Sequence, residues 1–422
     1  MLEDSAPAFA VGPNGRLLTR DGDQFSLFEI AASQELALLK DPPFLGKDTK
    51  PEFSPHGEFL FSPGPQGVNF WSADDRRIRG RLPAGLTRAL LIDSERNLFW
   101  TVGDHGIHQW PVRLAGPAGG APEASGSYRV GPPVEFLDGR RFSDGALIHD
   151  GKVVAGVEGG RVLLFNAGDG MLIRSIAGQP GLSQLDVHPG GKWLAGSSWH
   201  GRGVRIWDLN SYQPVANLQE EHPNVFAKFS PDATALVTGD GDAYHCWEAG
   251  AWNVRFEIPR EGAGKLPGVI AFSPDGQHLA VAVSRVTVLL VEMASGSPLA
   301  RFEPPDLVDL KGLEFSPNGR FLAAGNSART IQLWDLQKIR GQLSKLNLDW
   351  DGPPLVTGEP ATANAVTGWE ILLHEGAVRN LLLAADGFDG ANAQDWEIRN
   401  PSADHFSFLD EPGCLTVTMK LG

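Results

Sequence analysis

Apolar and polar positions alternate along this chain in runs of about five residues, broken by turn residues roughly every ten. In the clearest stretch Gly312-Leu313-Glu314-Phe315 alternates, and Ser316-Pro317-Asn318-Gly319 turns the chain. Phe321 to Gly325 is closely apolar and small, and Thr330 to Trp334 alternates again. Alternation with period two over such lengths predicts strands. Proline presets φ in the intervening turn, while Asn318 and Gly319 suit its later positions. The unbroken run Phe321 to Gly325 is expected to be an inner strand covered on both faces. Pro298 to Phe302 supplies a fourth strand.

This unit recurs. Phrases like Phe315-Ser316-Pro317-Asn318-Gly319, followed by one like Leu333-Trp334-Asp335, begin at residues 11, 53, 92, 148, 187, 229, 272 and 315. The steps are 42, 39, 56, 39, 42, 43 and 43 residues. A period near forty marks an array of small units that cannot bury their faces singly. With four short strands in each unit, it selects an all-β propeller of seven to eight four-stranded blades.

The paired phrases are similar to those of the WD40 family, over roughly residues 8 to 343. The resemblance implies a propeller that binds other proteins and performs no catalysis of its own. The Gly-His pair that opens the family's repeats is missing. The aspartate of the turn before the Trp strand stands only in some units, as at Asp104 and Asp240. After the last repeat, Leu336, Ile339, Leu343 and Leu346 have helical spacing and replace a fourth strand. The closing strand is therefore expected from the stub Met1 to Pro7 or, by preference, from sequence upstream of it.

Three regions follow: a propeller over 1–343, a helical connector over 344–378 and a β-rich segment over 379–422. The stretch Asn347 to Pro354 resembles that of multidomain WD40 proteins of Planctomycetes-type bacteria. The final Leu415-Thr416-Val417-Thr418 looks like the opening of a concanavalin/laminin-G-like sandwich, which carries the alternative of glycan or cell-surface recognition. The widest step comes from an insertion at Arg113 to Pro133, whose Gly, Ala, Pro and Ser read as a mobile loop.

Net charge is −15, with twelve acidic and four basic residues in 344–422, and no Lys/Arg stripe is present. Phosphate neutralisation drives nucleic-acid affinity, so nucleic acid is not the expected partner. No apolar run is long enough to cross a membrane and no basic-then-apolar leader is visible; with Cys246 and Cys414 too few for a disulfide framework, a cytoplasmic protein is expected.

Catalytic motifs are missing from the sequence: no Gly-x-Ser-x-Gly elbow, Walker loop or dinucleotide fingerprint occurs. His105 and His108 are spaced for opposite strand faces, and Asp386, Asp389 and Asp395 break calcium-loop spacing. No cofactor and no metal are expected. The strands read as inner, such as Leu322-Ala323-Ala324, are apolar, which argues against an enzyme. The turns between second and third strands, with the links between units, gather on one rim. They carry Trp199, His200, Arg202, His222, Asp242, Arg285 and Arg329. An aromatic among arginines and histidines is the mixture that protein interfaces favour. These seven are the candidate partner-binding residues.

Overall fold

The computed structural model describes residues 35–40, 50–115, 127–304 apart from 263 and 265, 308–345 and 349–350, together with strand backbone at 8–12, 16–21, 24–29, 368–374, 406–407 and 414–418. Its basic unit follows from the Ser-Pro phrase. The Ser316 hydroxyl accepts the amide of Phe321 at 2.8 Å, and Ser54, Ser230 and Ser273 accept those of Phe59, Ala235 and His278 at 3.1, 2.9 and 2.9 Å. Each bond clamps the turn that joins the first strand to the second. The last turn residue is left-handed, at φ 80° in Gly57, 69° in Gly276 and 70° in Gly319.

From this turn an antiparallel meander runs outward. Leu310–Phe315 pairs with Phe321–Asn326, which pairs with Thr330–Asp335. The same meander leads from Glu52–Phe53 to Ile78–Leu82, from Thr87–Asp93 to Val134–Asp138, from Gly145–Ile148 to Leu172–Ala177 and from Ile270–Phe272 to Pro298–Phe302. A further sheet carries the units at 187 and 229 together. Trp193–Asp208 holds the second and third strands of the unit at 187, and Pro214–Phe229 runs on from that unit into the next, 16 residues each. Counted as continuous sheets among the described residues, the propeller has six blades built on the four-stranded meander, with one short helix. This corrects the expected seven to eight. Two repeats share a sheet, and the first unit's strands, Ala8–Gly12, Arg16–Asp21 and Gln24–Glu29, form a three-stranded sheet of their own.

Closure also differs from expectation. Leu36–Lys40 pairs antiparallel with Thr330–Asp335, supplying the fourth strand of the last blade. That edge therefore needs neither the stub 1–7 nor upstream sequence. Helix Leu336–Lys345 leaves that blade as the sequence predicts: Asp335 Oδ1 accepts the Lys338 amide at 3.1 Å as an N-cap. Leu336, Ile339 and Leu343 pack on the core beside Trp350, where the Arg340 guanidinium meets Asp349 at 3.0 Å.

Which strands face the axis is a second correction. The first strands of successive units lie side by side around the hub, whereas runs such as Phe321–Asn326 sit mid-sheet between two neighbours. Their apolar character reflects packing between blades. That packing is aromatic: Trp100, Trp110, Trp207, Phe61 and Phe70 are fully buried. Each contributes about 2–3 kcal/mol by burial. The insertion expected as a loop is strand at its described edges, Ser127–Val130 pairing with the end of Gly106–Ala115. Gly368–His374 adds in parallel to Ser127–Val130, and Cys414–Thr418 adds beyond it. Asp386, Asp389 and Asp395 lie outside the described residues.

Candidate functional site: the hub and its mouth

Because each first strand alternates, every second residue faces the hub. The position just before the apolar residue that opens the repeat phrase holds Glu52, Asp186, Lys228 and Glu314, ahead of Phe53, Val187, Phe229 and Phe315. With Asp144 they line a central cavity of about 370 Å³. Lys228 Nζ reaches Glu314 Oε2 at 2.7 Å, passing the strand Ile270–Phe272, which offers only Ala271 at that level. Asp144 accepts the amide of Leu185 at 2.9 Å, and Asp186 accepts that of Phe229 at 2.7 Å. Two acids thus stitch one unit to the next.

Burial in this hub disfavours charge on the acids. It pushes Glu52 up to about 8, helped by Glu314, and Asp186 up to about 7; Asp144 is raised by the same cause. Burial works against the charge of Lys228 as well, but Glu314, Glu52 and Asp186 outweigh it and raise its pKa.

Toward the rim the cavity widens into a funnel of about 600 Å³. Its described lining includes Lys50, Arg88 and Lys311 and no carboxylate. Trp199 leans over it from the turn after Trp193 to Ser198. Its amide donates to Ser183 Oγ at 2.9 Å, its ring lies 5.8 Å from that of Phe226, and Lys311 Nζ stands 5.4 Å from its centroid. Trp199 is half-buried and reaches inward across the mouth.

Of the rim residues named from sequence, the structure brings Trp199 and His200 to the funnel. His200 is exposed at φ 63°, its amide donating to Asn224 Oδ1 at 2.8 Å. Arg202, two-thirds exposed, donates to the Glu221 carbonyl at 3.1 Å. His222 Nδ1 lies 2.7 Å from the buried Asp240 carboxylate, whose other oxygen accepts the amides of Asp242 and Ala243. Arg285 and Arg329 lie outside the funnel lining, and the Arg285 fork closes on Asp309 at 2.7 and 2.6 Å.

His222, Asp240 and Asp242 have ligand atoms within 4.8 Å of one another. Asp240 commits its oxygens to two turn amides, His222 and Gln219, so the cluster is accounted for as a turn lock. In the same unit Trp247 Nε1 donates to Thr238 Oγ1 at 2.8 Å; Trp110 and Trp71 donate likewise to Thr101 and Ser62. Cys246 is buried in the core, its thiol pushed up to about 11 by burial.

The sequence reading missed Lys50, Glu52, Arg88, Asp144, Asp186, Lys228, Lys311 and Glu314, because it assigned the hub to the second strands. The apolar second strands therefore say nothing about chemistry in the channel. The signal was present: a charged residue immediately before the phrase in four units, inside otherwise apolar strands.

With ring and hub described, the class is a β-propeller containing a WD40-type repeat. Residues 296–335 match the family model for the WD domain, G-beta repeat. The chain is also similar to the WD repeat-containing protein SL1-17 of Schistosoma mansoni, 26% identical over 165 residues, which are 38% of this chain and 52% of that protein. The chain thus spans about half the length of this curated relative. Among the described residues no helix is long and apolar enough to cross a membrane.

Proposed function

We propose that this chain is a non-catalytic interaction module that binds another protein across the funnel rim, through Trp199, His200, Arg202, His222, Asp242, Arg285 and Arg329. The observation that carries the reading is Trp199, a large aromatic held half-buried across a cavity mouth, the setting in which interface hot spots occur. The matched repeat supports it, since WD40 propellers commonly serve as interaction scaffolds. The hub charges support a non-catalytic role, because the Lys228–Glu314 pair and the Asp144 and Asp186 bonds join units to one another. Placement within a multidomain bacterial protein rests on the resemblance at 347–354.

The test is affinity capture from the source cells with the native chain and with Trp199→Ala combined with Arg202→Ala. Loss of specific partners from the double variant is the expected outcome. An unchanged partner set would count decisively against rim binding.

A further inference from the structure

Carboxylates are confined to one end of the axial cavity. The hub sets Glu52, Asp144, Asp186 and Glu314 beside Lys228, with Lys50, Arg88 and Lys311 at its border. Those last three cations, from three different blades, also line the funnel above, which has no carboxylate in its described lining. This is a cationic opening in a chain of net charge −15. We propose that the funnel selects an acidic peptide segment of the partner, seating a carboxylate side chain between Lys50 and Lys311 and an apolar neighbour against Trp199 and Phe226. This rests on the reading of the rim as a protein-binding face and specifies its ligand.

Three features favour it. The cations are held from different directions: Lys50 precedes the strand Glu52–Phe53, Arg88 stands in Thr87–Asp93 and Lys311 in Leu310–Phe315. A single anion at the axis is therefore approached from several sides, which a flat basic patch does not offer. Arg88 is anchored from outside the lining, its Nε on Asp104 Oδ1 at 2.9 Å, which fixes the guanidinium in place. The walls between the cations are apolar, with Pro63, Pro65, Phe226 and the Trp199 ring. That ring already holds a cation, Lys311, over the opening. A half-enclosed setting of this kind strengthens charge pairing over what open water permits.

The experiment uses the full chain and fluorescein-labelled peptides of equal length, each with a central leucine flanked by glutamate, glutamine or lysine, plus an oligothymidylate. Binding is read by fluorescence anisotropy at low and high salt. The glutamate peptide should bind about tenfold more tightly than the glutamine peptide and lose that advantage at high salt. Lys50→Glu with Lys311→Glu should abolish the preference, and Trp199→Ala should weaken binding to all the peptides. The milder Lys50→Gln with Lys311→Gln gives the same ranking should charge reversal perturb folding. A Lys338→Glu control on the helix should change nothing. Equal binding of the three peptides, or a preference that survives charge reversal, overturns the proposal; so does tighter binding of the oligothymidylate. Partner capture that depends on Trp199 while peptide charge has no effect would reject acidic selectivity and leave the rim reading standing.

Discussion

At the scale of single residues, the repeat turn shows how much one Cβ matters. Four units end the turn with a left-handed glycine, Gly57, Gly191, Gly276 and Gly319, whereas the unit at 229 places Ala233 there at φ 62°. That region costs an L-residue about 1–2 kcal/mol, and glycine gives back part of this through its freedom in the unfolded chain. The neighbouring bonds do not use the methyl: Ser230 Oγ binds Asp232 and the Ala235 amide, and the Ala233 carbonyl meets His188 Nε2 at 3.1 Å. Ala233→Gly should therefore stabilise the protein by about 0.5–1 kcal/mol, read as a higher urea midpoint with unchanged slope. A lower midpoint would show that the left-handed alanine is not strained.

At the scale of elements, the first strands decide how the propeller responds to pH. Glu52, Asp144 and Asp186 have folded-state values raised above those of the unfolded chain, so folding binds protons. Their stabilising contribution is complete below the unfolded carboxylate range and is lost as pH rises through about 7 for Asp186 and about 8 for Glu52. Lys50, Lys228 and Glu314 also face these acids, and the two lysines oppose the rise. Stability should fall by about 1–2 kcal/mol between about pH 5.5 and 8.5, allowing for partial solvent access. Glu52→Gln with Asp186→Asn should flatten that dependence, since the carboxamide oxygen of the second substitution can still accept the Phe229 amide. A pH profile of the urea midpoint identical in variant and native protein would refute the assignment.

The elements also show what could be read in advance. The strand-turn-strand unit was legible because Ser-Pro-Asx-Gly and a closing Trp repeat at a fixed interval, and the helix after Asp335 was legible from its three-and-four spacing. The hub was not. A run such as Leu322-Ala323-Ala324 is equally apolar whether it lines an axis or lies between two sheets, and burial by neighbouring blades leaves the same imprint as burial in a centre. Trp199 was noticed as an aromatic in a turn, but its direction depends on Phe226 and Lys311, far away in sequence. The shared sheet of the units at 187 and 229 likewise depends on long strands whose turn, around His200 to Gly203, reads as an ordinary loop.

At the scale of the whole molecule, one short strand holds the ring together. Leu36–Lys40 covers the outer edge of Thr330–Asp335, with Leu39 2% exposed between Ile331, Leu333 and Phe321. Leu39→Ala should cost about 2–4 kcal/mol from the cavity it leaves. A chain starting at residue 34 should keep the native far-ultraviolet spectrum and protease resistance, whereas one starting at residue 50 should be cleaved rapidly at the bared edge. Equal resistance of the two shortened chains would show that the strand is dispensable.

Pairing Lys40 with Thr330 joins positions roughly 290 residues apart. A ribosome adding about 5–20 residues per second needs roughly a quarter of a minute to a minute to cover that span. Throughout this interval the emerging segment 36–40 has no mate, and the earlier sheets stand as an unfinished arc with a bare flank. Nascent polypeptides of this gene product should consequently depend on holdase chaperones until the message is read past codon 335, and premature termination just short of it should yield aggregates rather than a smaller soluble fragment.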